Sequence, residues 1–467
     1  RRYLALGEPG HRVRLILDAP AEAEFPFRAV EVGEPVVETY PGRVRRIFER
    51  TATEAVRSIP TGLPPDVPLA PYVAFTTGST WSELARAYSD LVDRQIVGSD
   101  LSALSAGEGA ESQWERMAQL LAAVHRQVRY TGVALDDAGI VPRPPAETLA
   151  RRFGDCKDKA VLLTALLRRE GVPAYVALLH SGQGPDAEPD LPGLGLFNHA
   201  IVYVPGAEPL WIDPTDPHSP LGSLPLADQG RFALIAAPNT RGLSRTPEAE
   251  SRHHRVFEQR EVFLAEVGHG RIVETSETTG SPAGEVRAHW SRLEREELSE
   301  HLEEYVEAAY GATLAGFEHS PLDDPTPPLE IRLEADEAEF VITDLTEAAL
   351  LVPTSNLFDR LPDDFRAEPE DDESPREHDY LLYEPHQVAW RYVVHLPPGL
   401  TPRDLPEDGE ERWGPARYTR TFELAEDGRQ LVATFELDTG ERRYTAEDVA
   451  ALQRGLSELD EATDGSL

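Results

Sequence analysis

The stretch Arg151–Ala174, RRFGDCKDKAVLLTALLRREGVPA, decides how the rest of the chain is read. Apolar residues run nearly all round the helix that it implies, the pattern of a helix enclosed by other elements. Gly171 and Pro173 stop that helix. Cys156 stands at its start, with Gly154 just before the turn and Asp155 or Asp158 able to cap the first turn. There, unpaired backbone N–H groups and the positive end of the helix dipole favour a thiolate, the nucleophilic form of cysteine. A lone cysteine in a core is ordinarily an inert apolar residue, but the polar flanks set this one apart.

Cys156 is the one cysteine among 467 residues, so neither an intramolecular disulfide nor a four-cysteine zinc site can form. Of the 45 basic residues only two are lysines, Lys157 and Lys159, and both flank Cys156. Arginine serves wherever a cation suffices, and lysine is kept at this one place.

A thiol nucleophile needs a base that takes its proton and later protonates the leaving group, the work for which a histidine pKa is suited. His199 opens the apolar strand FNHAIVYV, where an imidazole is costly without a partner. The loop PGAEP separates this strand from LWIDPTD, so the two form an antiparallel hairpin. A turn centred on Gly206 sets Val202 opposite Leu210, Ile201 opposite Trp211, and His199 opposite Asp213. Directly opposed side chains share a face, with Cβ atoms about 4.5–5.5 Å apart. An aspartate there can hold the imidazole tautomer and stabilise its cation. Taken singly, His199 could be a hydrogen-bonded strand residue, and Asp213, before Pro214 and Thr215, a turn former.

With these residues in order, GDCKDKAVLLTALLRREGVPA, FNHAIVYV and LWIDPTD resemble the three core motifs of bacterial transglutaminase-like proteins over about Trp81 to Pro238. The lead-in VRYTGVALDDAGIVPRPPAETLARRFGDCKD resembles that of a bacterial subfamily in which a β-sandwich precedes the catalytic domain and further β structure follows. The resemblance implies a papain-like arrangement with Cys156 as nucleophile, His199 as general acid/base and Asp213 as its orienting carboxylate. The Cys156 backbone N–H is one candidate oxyanion donor. Gln127 and Tyr130, candidates for a second, read equally well as ordinary residues at a helix end.

The fold class expected is therefore multidomain α+β: a papain-like, transglutaminase-like core of helices packed on an antiparallel sheet, flanked by β-sandwich domains. Residues 1–78, with Val13, Leu15 and Leu17 on one strand face, read as the C-terminal part of a β-sandwich whose beginning is missing from a chain that opens on Arg1. Residues 79–238 form the catalytic domain. Its first helix starts at the Thr80/Glu83 capping box and buries Trp81, Leu84, Ala85, Tyr88, Leu91 and Val92. A second carries Trp114, Met117, Leu121, Val124 and Val128 as core positions. Residues 239–467 read as one or two sandwiches, including the hairpin RYTRTFELAEDGRQLVATFEL with its Asp427-Gly428 turn, interrupted by one helix from about Ser291 to Tyr310.

Acidic residues outnumber basic ones by 83 to 45, a formal charge of −38 that repels phosphate backbones, so nucleic acid is excluded as a partner. No run approaches the roughly 20 apolar residues of a membrane span. The acidic stretches Asp363–Asp379 and Glu407–Glu411, and PLDDPTPP, read as exposed loops. His253, His254 and His386 suggest metal ligands, although adjacent strand residues point to opposite faces and chelate poorly. The expectation is a thiol-dependent acyl-transfer enzyme acting on a protein or peptide substrate, more hydrolytic than cross-linking, with no cofactor and no metal. A protein-glutamine transglutaminase and a non-catalytic envelope binding or assembly module are the alternatives. The resemblance implies an exported location, periplasmic or in the cell envelope.

Overall fold

In the computed structural model, the structure describes residues 1–5, 8–23, 25–56, 59–105, 110–132, 139–343, 348–350, 355–367, 376–402, 405–426 and 428–462. The chain divides into two compact units, Arg1–Glu248 and Ala249–Leu467.

The first unit begins with two three-stranded antiparallel sheets. Tyr72–Phe75 lies between Arg2–Tyr3 and Phe27–Val30 in one, and Arg43–Thr53 between Gly10–Pro20 and Val36–Tyr40 in the other. Leu4, Leu17, Phe48 and Val73 form their core, with Val13 and Leu15 packed against it, as the alternating pattern predicts. A buried carboxylate ties these strands to the loop that leads to the His199 strand. Glu188 accepts hydrogen bonds from Tyr72 Oη at 2.7 Å, Arg1 at 2.6 Å and Arg28 at 2.8 Å. Removing one partner would leave buried charge uncompensated, which makes such a node a strict positional constraint.

Helices then pack on a five-stranded antiparallel sheet of order Leu210–Ile212, His199–Val204, Tyr175–Leu179, Phe232–Ile235, Ser244–Arg245. The helix Trp81–Ile96 starts at the Thr80/Glu83 capping box and buries Trp81, Ala85, Tyr88 and Val92. Gln113–Gln127 buries Met117, Leu121 and Val124, and Val128 is buried just beyond its end. Trp114 departs from expectation at 45% exposed; its ring covers Gly222, where an added Cβ would meet the indole at 2.8 Å. Cys156–Arg169 is buried at every position from Lys157 to Leu167, which is why its sequence is apolar nearly all round. Tyr175–Leu179, central in the sheet, carries no alternation for sequence reasoning to find, because both its faces are covered.

The hairpin register is corrected. Val202 pairs with Ile212, Tyr203 with Trp211 and Val204 with Leu210, so the turn centres on Ala207 and the pairing is displaced by two residues. The reason is proline: the observed register leaves both Pro205 and Pro209 in the loop, whereas a turn on Gly206 draws Pro209 into the ladder opposite Tyr203, where it has no N–H to donate. A slip of two, unlike a slip of one, keeps every side chain on its own face.

In the second unit the strands join one nine-stranded sheet, because Arg255–Phe263 pairs in parallel with Gln387–His395 and links the two hairpin systems. The hairpin Ala416–Leu424 with Gln430–Asp438 forms; Asp427 of its turn lies outside the described residues. The one helix expected from about Ser291 to Tyr310 is Arg295–Tyr310, and two more occur, Ser281–Trp290 before it and Ala446–Ala462 after the last strands. Asp363–Arg366 is a helical turn with Phe365 buried, so this part of the acidic stretch is not simply loop, while residues 368–375 lie outside the described residues. Glu410 and Glu411 are exposed but on the strand Gly409–Trp413. No helix among the described residues is long and apolar enough to cross a membrane.

His254 and His386 are buried in this unit, and burial holds each imidazole down to about 4. Nδ1 of His254 accepts the Ser281 N–H at 3.0 Å, while Nδ1 of His386 lies 2.9 Å from the Glu384 carbonyl. Unfolding returns each to an ordinary value near 6.5, so the unfolded chain takes up the protons first. Their contribution is complete above about pH 6.5 and is lost as pH falls toward 4. Thermal melting between pH 7.5 and 5.5 should therefore show a midpoint difference between wild type and His386→Asn that shifts against the wild type as pH falls.

Candidate functional site

Asp155 is the cap of the Cys156 helix: its carboxylate accepts the Asp158 N–H at 3.1 Å, and the Asp158 carboxylate reaches back to the Asp155 N–H at 3.4 Å. This reciprocal box fixes the entry angle of the chain and puts Cys156, half-buried, at the first helical position. Gly154 is needed for close approach, since a Cβ there would lie 2.8 Å from Asp158 Cβ. Gly154 and Phe153 also pair in parallel with Tyr130 and Arg129, bringing Tyr130 beside the cysteine.

Both lysines are buried. Lys157 is ion-paired with the Asp155 carboxylate. Lys159 faces inward, and burial lowers its ammonium to about 8 against the opposing pull of Asp213 and Asp216. A compact ammonium on a slim stem suits a helix face packed on all sides better than a planar guanidinium.

His199 is the first residue of its strand, paired with Leu179. Its Nε2 lies 3.2 Å from Asp213 Oδ2, a diagonal contact across the hairpin that the two-residue displacement permits. Asp213 is held in turn by Thr215, whose N–H and Oγ1 each reach Oδ1 at 2.8 Å. It is thus both a turn former and the imidazole's partner. Burial pulls the imidazole toward its neutral form, but hydrogen bonds to Asp213 and Cys156, aided by the charges of Asp213 and Asp228, outweigh it and push it up to about 11. Burial acts the other way on Asp213, where the His199 bond prevails and holds the carboxyl below its ordinary range.

The three residues singled out from the sequence are therefore brought together. A fourth, Asp228, was missed. It ends the short turn Leu226–Asp228, is 1% exposed, and sets Oδ2 3.7 Å from His199 Nε2. Burial pushes its carboxyl up to about 7. No local signal marked it, since Gln229 and Arg231 stand in the same stretch, LPLADQGRFALIAA. Gln127 lines neither cavity at His199, whereas Tyr130 lines both. One cavity, of about 170 Å³, exposes Cys156 with Tyr88, Lys157 and His199. The other, of about 410 Å³, opens onto Asp213, Asp216 and Asp228. Cys156 and the imidazole thus share a solvent-facing wall, an arrangement capable of thiol proton transfer and nucleophilic attack.

Residues 102–204 match the family described as the Transglutaminase-like superfamily. The chain carries a transglutaminase-like superfamily domain. The matched segment includes Cys156 and His199 and ends before Asp213 and Asp228. No curated protein matches the sequence. Among solved structures, a crystal structure from Parabacteroides distasonis described as a "putative protease" superposes with a TM-score of 0.60 at 12% identity, covering 100% of this chain and 73% of that one. At that identity the likeness is one of fold. Of the histidines weighed as ligands, His253, His254 and His386 join no metal-competent group among the described residues; the one such group is His199, Asp213 and Asp228.

Because Gly154 abuts the residue that closes the capping box, Gly154→Ala should destabilise the transglutaminase-like domain by about 1–3 kcal/mol, the usual cost of overpacking. Urea unfolding of wild type and variant measures it, and the same variant should react more slowly at Cys156.

Proposed function

We propose that the chain is a thiol-dependent acyl-transfer enzyme acting on peptide or glutamine carboxamide bonds, hydrolytic in preference to cross-linking. The observation that carries this reading is an imidazole paired with Asp213 at 3.2 Å and lining one cavity with Cys156 at its helix start. In this reading the Cys156 thiolate attacks the carbonyl carbon and forms a thioester. The Cys156 backbone N–H, at the helix start with no intrahelical acceptor, stabilises the oxyanion. The His199 imidazolium gives its proton to the departing amine; the neutral ring then takes a proton from the water that attacks the thioester, and the thiolate leaves as the acid is released, restoring the thiolate–imidazolium pair. Asp213 keeps the ring oriented and its cation stable. No metal or organic cofactor takes part in these steps.

Water is favoured as the acceptor because the cavity at Cys156 opens to solvent at enormous water excess, and an amine acceptor prevails only where a site excludes water. The description of the Parabacteroides distasonis structure agrees with a peptide-bond substrate. The division into a sandwich-derived segment over 1–78, a catalytic domain over 79–238 and a C-terminal region over 239–467 is part of the same reading, as is an exported location.

Cys156→Ala should abolish turnover of glutamine or peptide substrates with little change in melting, and His199→Ala should abolish it with a lowered melting midpoint, since it leaves the buried Asp213 without its partner. Asp213→Asn should retain a small residual rate, since it disturbs the tautomer without removing the base. Retained turnover in purified Cys156→Ala would refute the assignment. The acceptor is decided by partitioning: with millimolar primary amine present, hydrolysed product should still dominate, and a majority of amine adduct would make the enzyme a transglutaminase.

A further inference from the structure

The acyl-transfer reading uses one carboxylate on the imidazole, but the fold supplies two. Asp228 is almost wholly buried, and neither of its oxygens has a hydrogen-bond partner in the structure. A carboxylate withdrawn from water without donors costs several kcal/mol unless a cation or a proton meets it. Its Oδ2 is aimed at His199 Nε2, and single ligand atoms of His199, Asp213 and Asp228 all lie within 4.8 Å of one another. The larger cavity opens onto these same three residues, with room for water to complete a coordination shell.

We infer that His199 Nε2, Asp213 and Asp228 form a binding site for a divalent transition-metal ion, with Zn²⁺ the best fit, and that its occupation switches the thiol centre off. One imidazole and two carboxylates suit zinc, whose bonds to nitrogen and oxygen are about 2.0–2.2 Å. Ligand atoms 3.2 and 3.7 Å apart need only small inward shifts to meet those bonds. Asp213, Asp228 and Asp216 line the same cavity, and the Lys159 ammonium is drawn toward Asp213 and Asp216, so carboxylates outnumber the one ammonium nearby.

The inhibitory consequence rests on the acyl-transfer reading; metal binding itself does not. Zinc takes the Nε2 lone pair and releases the Nε2 proton to solvent. The metal-bound ring then carries its remaining hydrogen on Nδ1, the nitrogen left to face Cys156. Nδ1–H has no lone pair with which to accept the thiol proton, so the base is disabled while Cys156 stays unligated. Asp213, drawn onto the metal, no longer stabilises an imidazolium.

The test is equilibrium dialysis of the full chain against Zn²⁺ at pH 7.5, with iodoacetamide alkylation of Cys156 followed in parallel by mass spectrometry. One Zn²⁺ per chain is expected, bound equally by wild type and Cys156→Ala. Affinity should fall at least tenfold in Asp228→Asn and stay within about twofold in Asp216→Asn, which alters the same cavity away from the three ligands. Circular dichroism melting establishes that the variants are folded, and Asp228→Glu provides a second variant that keeps a carboxylate and should retain part of the affinity. Zn²⁺ should slow alkylation of wild type in proportion to occupancy. Undiminished binding by Asp228→Asn, or loss of binding in Cys156→Ala, would overturn the assignment, the latter by making the thiolate the ligand. If Cys156 proved unreactive without metal, the acyl-transfer reading would fail, and the dialysis result would still decide the site.

Discussion

An imidazole enclosed by protein prefers to be neutral, because burial penalises its cation. In this structure the preference is reversed by Asp213, which meets Nε2 at 3.2 Å and is itself fixed by two hydrogen bonds from Thr215. Everything else at the site follows from holding that pair in place. The sheet presents His199 at the start of a strand, the proline-bounded loop sets how far along the neighbouring chain Asp213 falls, and the capping box delivers Cys156 to the same ring. Such an ion pair is stable only while its geometry is kept, since either charge alone would stand uncompensated in the interior. That makes the packing around it, down to Gly154, a condition for the chemistry.

The Cys156 helix was legible because its signals are local: a capping residue, an enclosing apolar pattern and a glycine–proline stop all lie within one short stretch. Trp81–Ile96 was legible for the same reason. Tyr175–Leu179 was not, since a strand covered on both faces shows no alternation and five apolar residues do not distinguish strand from helix. Trp114 misled because helical spacing identifies a face but not what covers it. In the second unit, the parallel pairing of Arg255–Phe263 with Gln387–His395 joins segments more than a hundred residues apart. No local pattern announces that pairing.

The site divides in the same way. His199 and Asp213 were found by a hairpin argument whose register was wrong by two residues and whose face assignment was right, because side chains alternate with period two. The contact survives as a diagonal one. Asp228 could not be found at all, since it reaches the imidazole from a turn whose position depends on the tertiary path of the chain. Its arrival beside Asp213 distinguishes this site from a three-residue relay and gives the back of the imidazole a chemistry of its own. The matched family segment ends before both carboxylates, so their geometry comes from this structure and not from the match.

The most direct measurement of the central claim is the rate of iodoacetamide alkylation of Cys156 at pH 6, compared between wild type and His199→Ala. Only the thiolate reacts, so the rate reports how far the imidazole has taken the thiol proton. If Cys156 and His199 form a working pair, the wild-type thiol is alkylated rapidly at this pH and the variant at least tenfold more slowly. Equal rates in the two proteins would show that the imidazole does not activate the cysteine, and the account of this site as an acyl-transfer centre would be wrong.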